Sequence, residues 1–558
     1  MWLRILCLCV VLVTISILAH AQTGASSSES LTAQVDKVFA QFDKPDSPGC
    51  ALAVYKDGQT VYKRGYGMAD LDHDIPIKPD TVFHVASVSK QFAAMSIMLL
   101  VKQGKLSLDD KVQKYITELR EFDQPITIRH LLHHTSGLRD QWELLIMSGW
   151  RLSEDVVRDE DILDLVSRMK ALNFAPGERY LYSNTGFTLA ALIVKRVSGQ
   201  SLREFAEANI FKPLGMSRTF FRDDHYVIVK NQAYGYVGAG NNIFKLSVPN
   251  YDTVGASSLL TTVEDLARWD QNFYDPKVGG ADVITQMQTS GKLNSGAPMG
   301  YGLGLSVGTY RGLNLIEHSG ADAGYRSHLM RFPEQRFSVA CLCNLGAAGP
   351  GALARKVADI YLANQLQPEA KPEAATVKLS EQAIADKVGA YWASGAEELG
   401  RVTAAGGKLF FNFDGSGAEL IPIDEKRFQI SAINGEVRFE APAEGARRIV
   451  FTAPGRKPII LNAIAPTTLN AGQLAEYAGD YYGEEIDSTY KLVVQDGKLS
   501  LTRKKYRPAE MTPVGKDIFT AVGGASIRFT RDNQNRITGF VFSRGRIKNF
   551  RFDKLPKP

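Results

Sequence analysis

Residues Phe83 to Gly104 read FHVASVSKQFAAMSIMLLVKQG, and this stretch limits the possible folds more than any other. Phe92 to Val101 is almost continuously apolar, and Gly104 closes the run in the manner of a left-handed helix cap. A helix that is apolar all round must be buried, so the rest of the chain has to surround it. Ser87 and Lys90 stand three residues apart at its opening, on one helical face. Ser87 falls in the first turn, where unpaired N–H groups and the helix dipole favour developing negative charge. An amine beside a hydroxyl at that place makes a nucleophile of Ser without a His–Asp pair.

Spacing alone is weak support, since S-x-x-K arises by chance about once or twice in a chain of this length. A second copy, Ser167 to Lys170, sits in an amphipathic helix pattern and reads as solvated surface. The flanking order is more informative. Pro48 to Tyr55, the turn pair Asp57-Gly58 and Thr60 to Tyr66 predict a first β-hairpin. A mostly helical middle follows: Thr127 to His134, Asp159 to Ala171, Thr185 to Val197, Ser201 to Ile210 and Thr262 to Phe273, the last with Thr262 as N-cap. Strands return at Leu303 to Tyr310, Leu313 to Glu317, Tyr325 to Phe332 and Phe337 to Cys343, before a closing helix at Ala352 to Leu362. The pattern predicts an α+β domain: one sheet, flanked by helices, in which the first hairpin meets the last strands.

At 558 residues the chain exceeds one core. Residues 22–364 are assigned to this first domain, and 365–379, rich in Pro, Ala and Glu, to a linker. Beyond it the composition turns to short alternating strands with a repeat at an offset of ninety: Gly389-Ala390-Tyr391 with Gly479-Asp480-Tyr481, Gly407-Lys408-Leu409 with Gly497-Lys498-Leu499, and Val437-Arg438-Phe439 with Ile527-Arg528-Phe529. Two small antiparallel β-barrels, 380–466 and 467–558, are the expectation, with two halves of one sandwich as the alternative.

The first residues carry a basic start, an apolar run from Ile5 to Leu18 and small residues at Ala19 to Ala21. They read as a secretory signal peptide over 1–21, which implies a secreted or periplasmic protein without an integral membrane segment in the mature chain, a retained membrane anchor being the alternative. A net charge of +5 without basic–aromatic clusters argues against nucleic acid as a partner. Cys50, Cys341 and Cys343 lie in apolar strand-like runs and are read as buried free thiols, a link from Cys50 to one of the others being the alternative. His130 and His134 share a helical face, but Leu131 stands where a zinc-protease motif needs Glu. Those two and His133 are assigned to structure, and no metal site is expected.

Three clusters stand in chain order: Ser87-Val88-Ser89-Lys90, Tyr182-Ser183-Asn184 and His318-Ser319-Gly320. This resembles the serine β-lactamase and penicillin-binding-protein superfamily in its class C branch, with S-x-x-K, Y-x-N and a [K/H]-x-G strand. The approach Pro79 to Phe83, the run Ile128 to Leu138 and Pro213-Leu214-Gly215-Met216 look like the same family, and the resemblance covers about Leu31 to Leu362. It implies that Ser87 forms an acyl-enzyme, that Lys90 and Tyr182 share proton transfer, and that Asn184 and His318-Ser319-Gly320 face the substrate. It further implies backbone N–H donors from Ser87 and Ala321 for the oxyanion. A Lys base must be neutral at working pH, against an ordinary value of about 10.4, which requires burial or a nearby cation.

His318 stands where β-lactamases of this branch usually carry Lys, so a permanent cation is lost there. His-x-Gly is similar to D-aminopeptidase, DD-carboxypeptidase and esterase members. The D-aminopeptidase group also carries two β-barrels after the catalytic domain, one of which sends a loop to the active site. The resemblance therefore implies an exported, cofactor-free serine hydrolase acting on a small peptide, an ester or a peptidoglycan fragment. A D-aminopeptidase or DD-peptidase is the preferred subtype, with a carboxylesterase or a non-turnover peptidoglycan or β-lactam sensor as the alternatives. Oligomeric state is not expressed in the sequence.

Overall fold

The computed structural model describes residues 31–368, 377–413, 416–430, 435–441, 447–453 and 457–556. The expected signal segment and most of the linker lie outside the described residues. The first domain is built on one antiparallel sheet of six strands: β1 Cys50–Lys56, β2 Gln59–Tyr66, β3 Ser306–Tyr310, β4 Leu313–Asp322, β5 Tyr325–Phe332 and β6 Phe337–Cys343. Their order is β3-β4-β5-β6-β1-β2, so the first hairpin meets the last strands through β1 and β6. Asp57 and Gly58 both take positive φ, 52° and 79°, as a two-residue hairpin turn between twisted strands demands.

Strand alternation divides the core into two layers. Cys50, Leu52 and Val54 of β1 face one side, packed with the helix at 31–39 and the helix Pro350–Tyr361. Ala51, Ala53 and Tyr55 face the other, against the helical middle of the chain. At the centre of that second layer lies α1, Lys90–Lys102, nearly every residue buried. Phe92 packs on Trp269 at 4.4 Å between ring centres, and Gly104 caps the end at φ 68°.

Three expectations need correction. β4 does not stop at Glu317 but continues through His318-Ser319-Gly320 to Asp322, because β5 pairs with it along that length. The helices Gln141–Met147 and Ala281–Gln288 were not anticipated, being short and lacking a long apolar period. The cysteines are not three free thiols: Cys50 and Cys343 form a disulfide and Cys341 remains free. Register is the reason, since Cys50 stands directly opposite Cys343 across the β1–β6 pair, a relation invisible until the strands are paired.

Two closed eight-stranded barrels follow, and the ninety-residue repeat runs through both. Tyr391 donates its hydroxyl to the carbonyl of Lys387 at 2.8 Å, and Tyr481 repeats the bond to Tyr477 at 2.8 Å. The two barrels are attached differently. The first keeps its own core, whereas the apolar interior of the second is continuous with the core of the first domain. Polar contacts tighten that junction: buried Arg139 pairs with Glu485, Asn173 receives the N–H of Lys548 at 2.8 Å, and Tyr490 donates to the carbonyl of Met147 at 2.9 Å. Among the described residues no helix is long and apolar enough to cross a membrane.

Candidate active site

Ser87 lies in a single 3-10 turn, Ala86–Ser89, that leads directly into α1. Ala86 takes a positive φ of 47°, a backbone conformation that a non-glycine residue holds only when its surroundings fix it. Gly320 supplies part of that fixing. A Cβ there would come within 2.2 Å of Ser327 Oγ and 2.3 Å of the Val85 carbonyl, so β4 approaches the Ser87 turn too closely for any side chain. Gly320 thus serves the scaffold by letting β4 close on that turn, and it is not among the residues that line the cavity over Ser87.

Lys90, one turn on, is fully buried. Its Nζ lies 3.1 Å from Ser87 Oγ, 2.9 Å from Asn184 Oδ1 and 2.6 Å from the Ala256 carbonyl. Two of these neighbours only accept, so a neutral amine donates to both and keeps its lone pair for the Ser87 hydroxyl. Burial lowers the Lys90 pKa well below the ordinary ammonium range, and the charge of Arg546 lowers it further. Asn184 opens the helix α2, Asn184–Ser198. Its amide is oriented by Asp140, whose Oδ2 receives both the Asn184 N–H and Nδ2, each at 2.8 Å.

Tyr182 lines the cavity beside Ser87, and its ring faces Lys90 Nζ at 4.8 Å from the centroid. Burial pushes its phenol up, so it holds its proton. Behind it runs an ordered chain. The Ser183 N–H donates to His134 Nδ1 at 3.1 Å, His134 Nε2 meets the Tyr301 hydroxyl at 3.2 Å, and Tyr301 meets His318 Nε2 at 3.0 Å. His318 Nδ1 ends the chain on the Ser319 carbonyl at 2.7 Å. With both imidazoles neutral, every link is satisfied when His134 Nε2 donates to Tyr301 and Tyr301 donates to His318. Burial pushes His318 down to about 3. Both of its ring nitrogens are occupied, so His318 supports the wall behind Tyr182, and it is not among the residues that line the cavity over Ser87.

A cavity of about 820 Å³ opens over Ser87, lined also by Tyr182, Asn184, Ala321 and Asp322 of the first domain and by Lys505, Tyr506, Arg507 and Arg546 of the second barrel. β3 pairs with β4 only as far as Glu317, so among the described residues no strand pairs with that side of β4 from His318 to Asp322. The matching family model is described as Beta-lactamase and covers residues 35–404. The chain belongs to the beta-lactamase family.

Within this family the chain is 26% identical to a D-aminopeptidase of Gluconobacter oxydans over 91% of its own length and 95% of the relative. It is 29% identical to a penicillin-binding protein of Bacillus subtilis over 74% of its length and 94% of the relative. The octameric penicillin-binding protein homologue from Pyrococcus abyssi shares the fold with a TM-score of 0.55 at 24% identity, covering 86% of this chain and 99% of that one. The chain is a serine hydrolase of this β-lactamase-related family with two C-terminal barrels.

The structure brings Ser87, Tyr182, Asn184 and Ala321 around one cavity, with Lys90 buried against Ser87, and leaves His318 and Gly320 outside the cavity lining. Several neighbours were missed by sequence reasoning. Asp140 caps the helix Gln141–Met147 through its contact with the Trp142 N–H, and an Asp before QWELLIM was the available signal. Arg546, in the turn between the barrel strands Ile537–Arg544 and Ile547–Lys554, reaches Asp140 Oδ2 at 3.3 Å. Nothing local marked it.

Proposed function

We propose that the chain is an exported serine peptidase of the D-aminopeptidase or DD-peptidase type, cleaving an amide through a Ser87 acyl-enzyme without a cofactor. The hydrogen-bond inventory at Lys90 carries this reading: two acceptors fix the amine and its remaining neighbour is the Ser87 hydroxyl. Lys90 takes the Ser87 proton as Oγ attacks the carbonyl carbon, and the N–H groups of Ser87 and Ala321 receive the oxyanion. When the C–N bond breaks, Tyr182 gives its proton to the departing nitrogen and is reprotonated from Lys90. Environments that push the two groups apart, Lys90 down and Tyr182 up, suit a base and an acid respectively. Water repeats the sequence on the acyl-enzyme: its proton goes to Lys90, and Ser87 Oγ leaves with a proton. The Cys50–Cys343 disulfide supports export to an oxidising compartment.

The test is covalent labelling and turnover. A fluorophosphonate should label the wild-type protein and not Ser87→Ala, and D-alanyl p-nitroanilide should be hydrolysed by the first only. Turnover by Ser87→Ala overturns the mechanism. Permanent labelling by a fluorescent penicillin with no turnover of any amide or ester identifies a sensor instead.

A further inference from the structure

We infer that Asp322 is the residue that binds a free α-ammonium group on the acyl donor, so that the hydrolase takes substrates with an unblocked amino end. This rests on the acyl-enzyme reading given above and narrows it toward aminopeptidase chemistry.

Asp322 directly follows Ala321 at the end of β4, and both line the cavity over Ser87. Its carboxylate is arranged asymmetrically. His84 Nε2 at 2.9 Å, Ser257 Oγ at 3.2 Å and the Tyr251 hydroxyl all converge on Oδ2. Among the described residues Oδ1 has no hydrogen-bond donor, and a quarter of the side chain, 26%, is exposed in a group otherwise walled in. A carboxylate that only braces the wall gains most by sharing donors between both oxygens. Here one oxygen is held by three donors, and the other is left for a ligand.

Three of the cations lining the cavity are paired with other carboxylates: Lys505 with Asp155, Arg546 with Asp140 and Arg151 with Glu154. Arg326 acts on Asp322 at a distance, but its Nη1 is committed to the carbonyls of Ala323 and Tyr325. Lys90 is bound to Ser87, Asn184 and Ala256. The other carboxylate lining the cavity, Glu154, is paired with Arg151 at 2.5 Å. Hydrogen bonds from His84 and Tyr251 hold Asp322 ionised. An α-ammonium sits one carbon from the carbonyl under attack. Asp322 lines the same cavity as Ser87 and its charge acts on Lys90, which lies 3.1 Å from Ser87 Oγ, so its carboxylate stands near the carbonyl under attack and the contact is a charge-assisted hydrogen bond.

The readout is discrimination between D-alanyl p-nitroanilide and its N-acetyl derivative, and between D-alanine methyl ester and N-acetyl-D-alanine methyl ester. The wild-type enzyme should favour the free amine in each pair by about 10- to 100-fold in kcat/KM. In Asp322→Asn the amide oxygen can keep the three donors while its NH₂ faces the cavity, and the preference should collapse toward unity, chiefly through KM. A preference unchanged in Asp322→Asn, or absent from the wild type, overturns the inference. Cleavage of the esters without the anilides refutes the peptidase reading alone, and the ester pair still decides the role of Asp322. On the unaltered enzyme, D-alaninol should slow fluorophosphonate labelling of Ser87 and N-acetyl-D-alaninol should not. Equal protection by the two also overturns the inference, whatever the stability of the variant.

Discussion

Arg546 holds its guanidinium carbon 4.7 Å from the centre of the Tyr182 ring, so the last hairpin of the second barrel places a cation against a residue of the first domain's site. The same guanidinium reaches Asp140, and Asp140 orients the Asn184 amide that faces Lys90. Barrel, carboxylate, amide, amine and hydroxyl form one continuous polar path. The need for burial or a nearby cation at Lys90 is met by both.

Removing the cation should therefore be read in the pH profile. Arg546→Met keeps bulk over Tyr182 and deletes the charge. Without it the ammonium of Lys90 becomes less unfavourable, its pKa rises, and the base is protonated over more of the range. The ascending limb of kcat/KM should move to higher pH, with a loss of about 10- to 100-fold at pH 7 that shrinks as pH is raised. Arg546→Lys should recover part of the shift. A uniform loss at every pH assigns Arg546 to packing only.

Gly320→Ala tests the close approach of β4 to the Ser87 turn. The added Cβ meets the Val85 carbonyl and Ser327 Oγ, and backbone at a strained residue cannot yield cheaply. A stability loss of about 1–3 kcal/mol in denaturant titration should accompany a slower rate of fluorophosphonate labelling. Wild-type labelling in a destabilised variant would separate the glycine from the nucleophile's placement.

His318 should carry no charge at any pH where the enzyme works, since burial holds it near 3. Nitrogen chemical shifts of labelled histidine should show its proton on Nδ1 and no titration between pH 5 and 9. Tyr301→Phe removes the donor to His318 Nε2 and leaves a buried acceptor unpaired, at a cost of about 1–3 kcal/mol.

What could be read from the sequence was local. Ser87 with Lys90, Tyr182 with Asn184, the turn pair Asp57-Gly58 and the cap at Gly104 each depend on residues a few positions apart. The barrel repeat was legible because two copies of one pattern can be compared by offset. What escaped depends on register and docking. Cys50 pairs with Cys343 only because β1 lies beside β6, and Asp140 meets Arg546 only because the second barrel shares a core with the first domain. The family motif placed His318 and Gly320 at the site. It did not reveal that one imidazole is spent on Tyr301 and Ser319, or that the glycine makes room for backbone.

Glu143 offers a test of how the barrel hairpin is seated. Its carboxylate receives the Arg546 N–H at 3.2 Å on both oxygens, yet burial, and then repulsion from Asp140, push it up from 4.5 to about 7. A carboxyl raised in the folded state gives stability that is fully present below its unfolded pKa and is lost as pH rises through the folded one. This contribution should therefore be whole near pH 4.5 and fade on approach to pH 7. Glu143→Gln keeps an acceptor for the Arg546 N–H and removes the ionisation. Its Tm should match the wild type near pH 5 and exceed it by roughly 1–3 °C at pH 8. Calorimetric scans at the two pH values decide the matter. Parallel curves would mean that the carboxylate ionises without penalty, and that the hairpin carrying Arg546 is more open to water than its packing on the helix Gln141–Met147 implies.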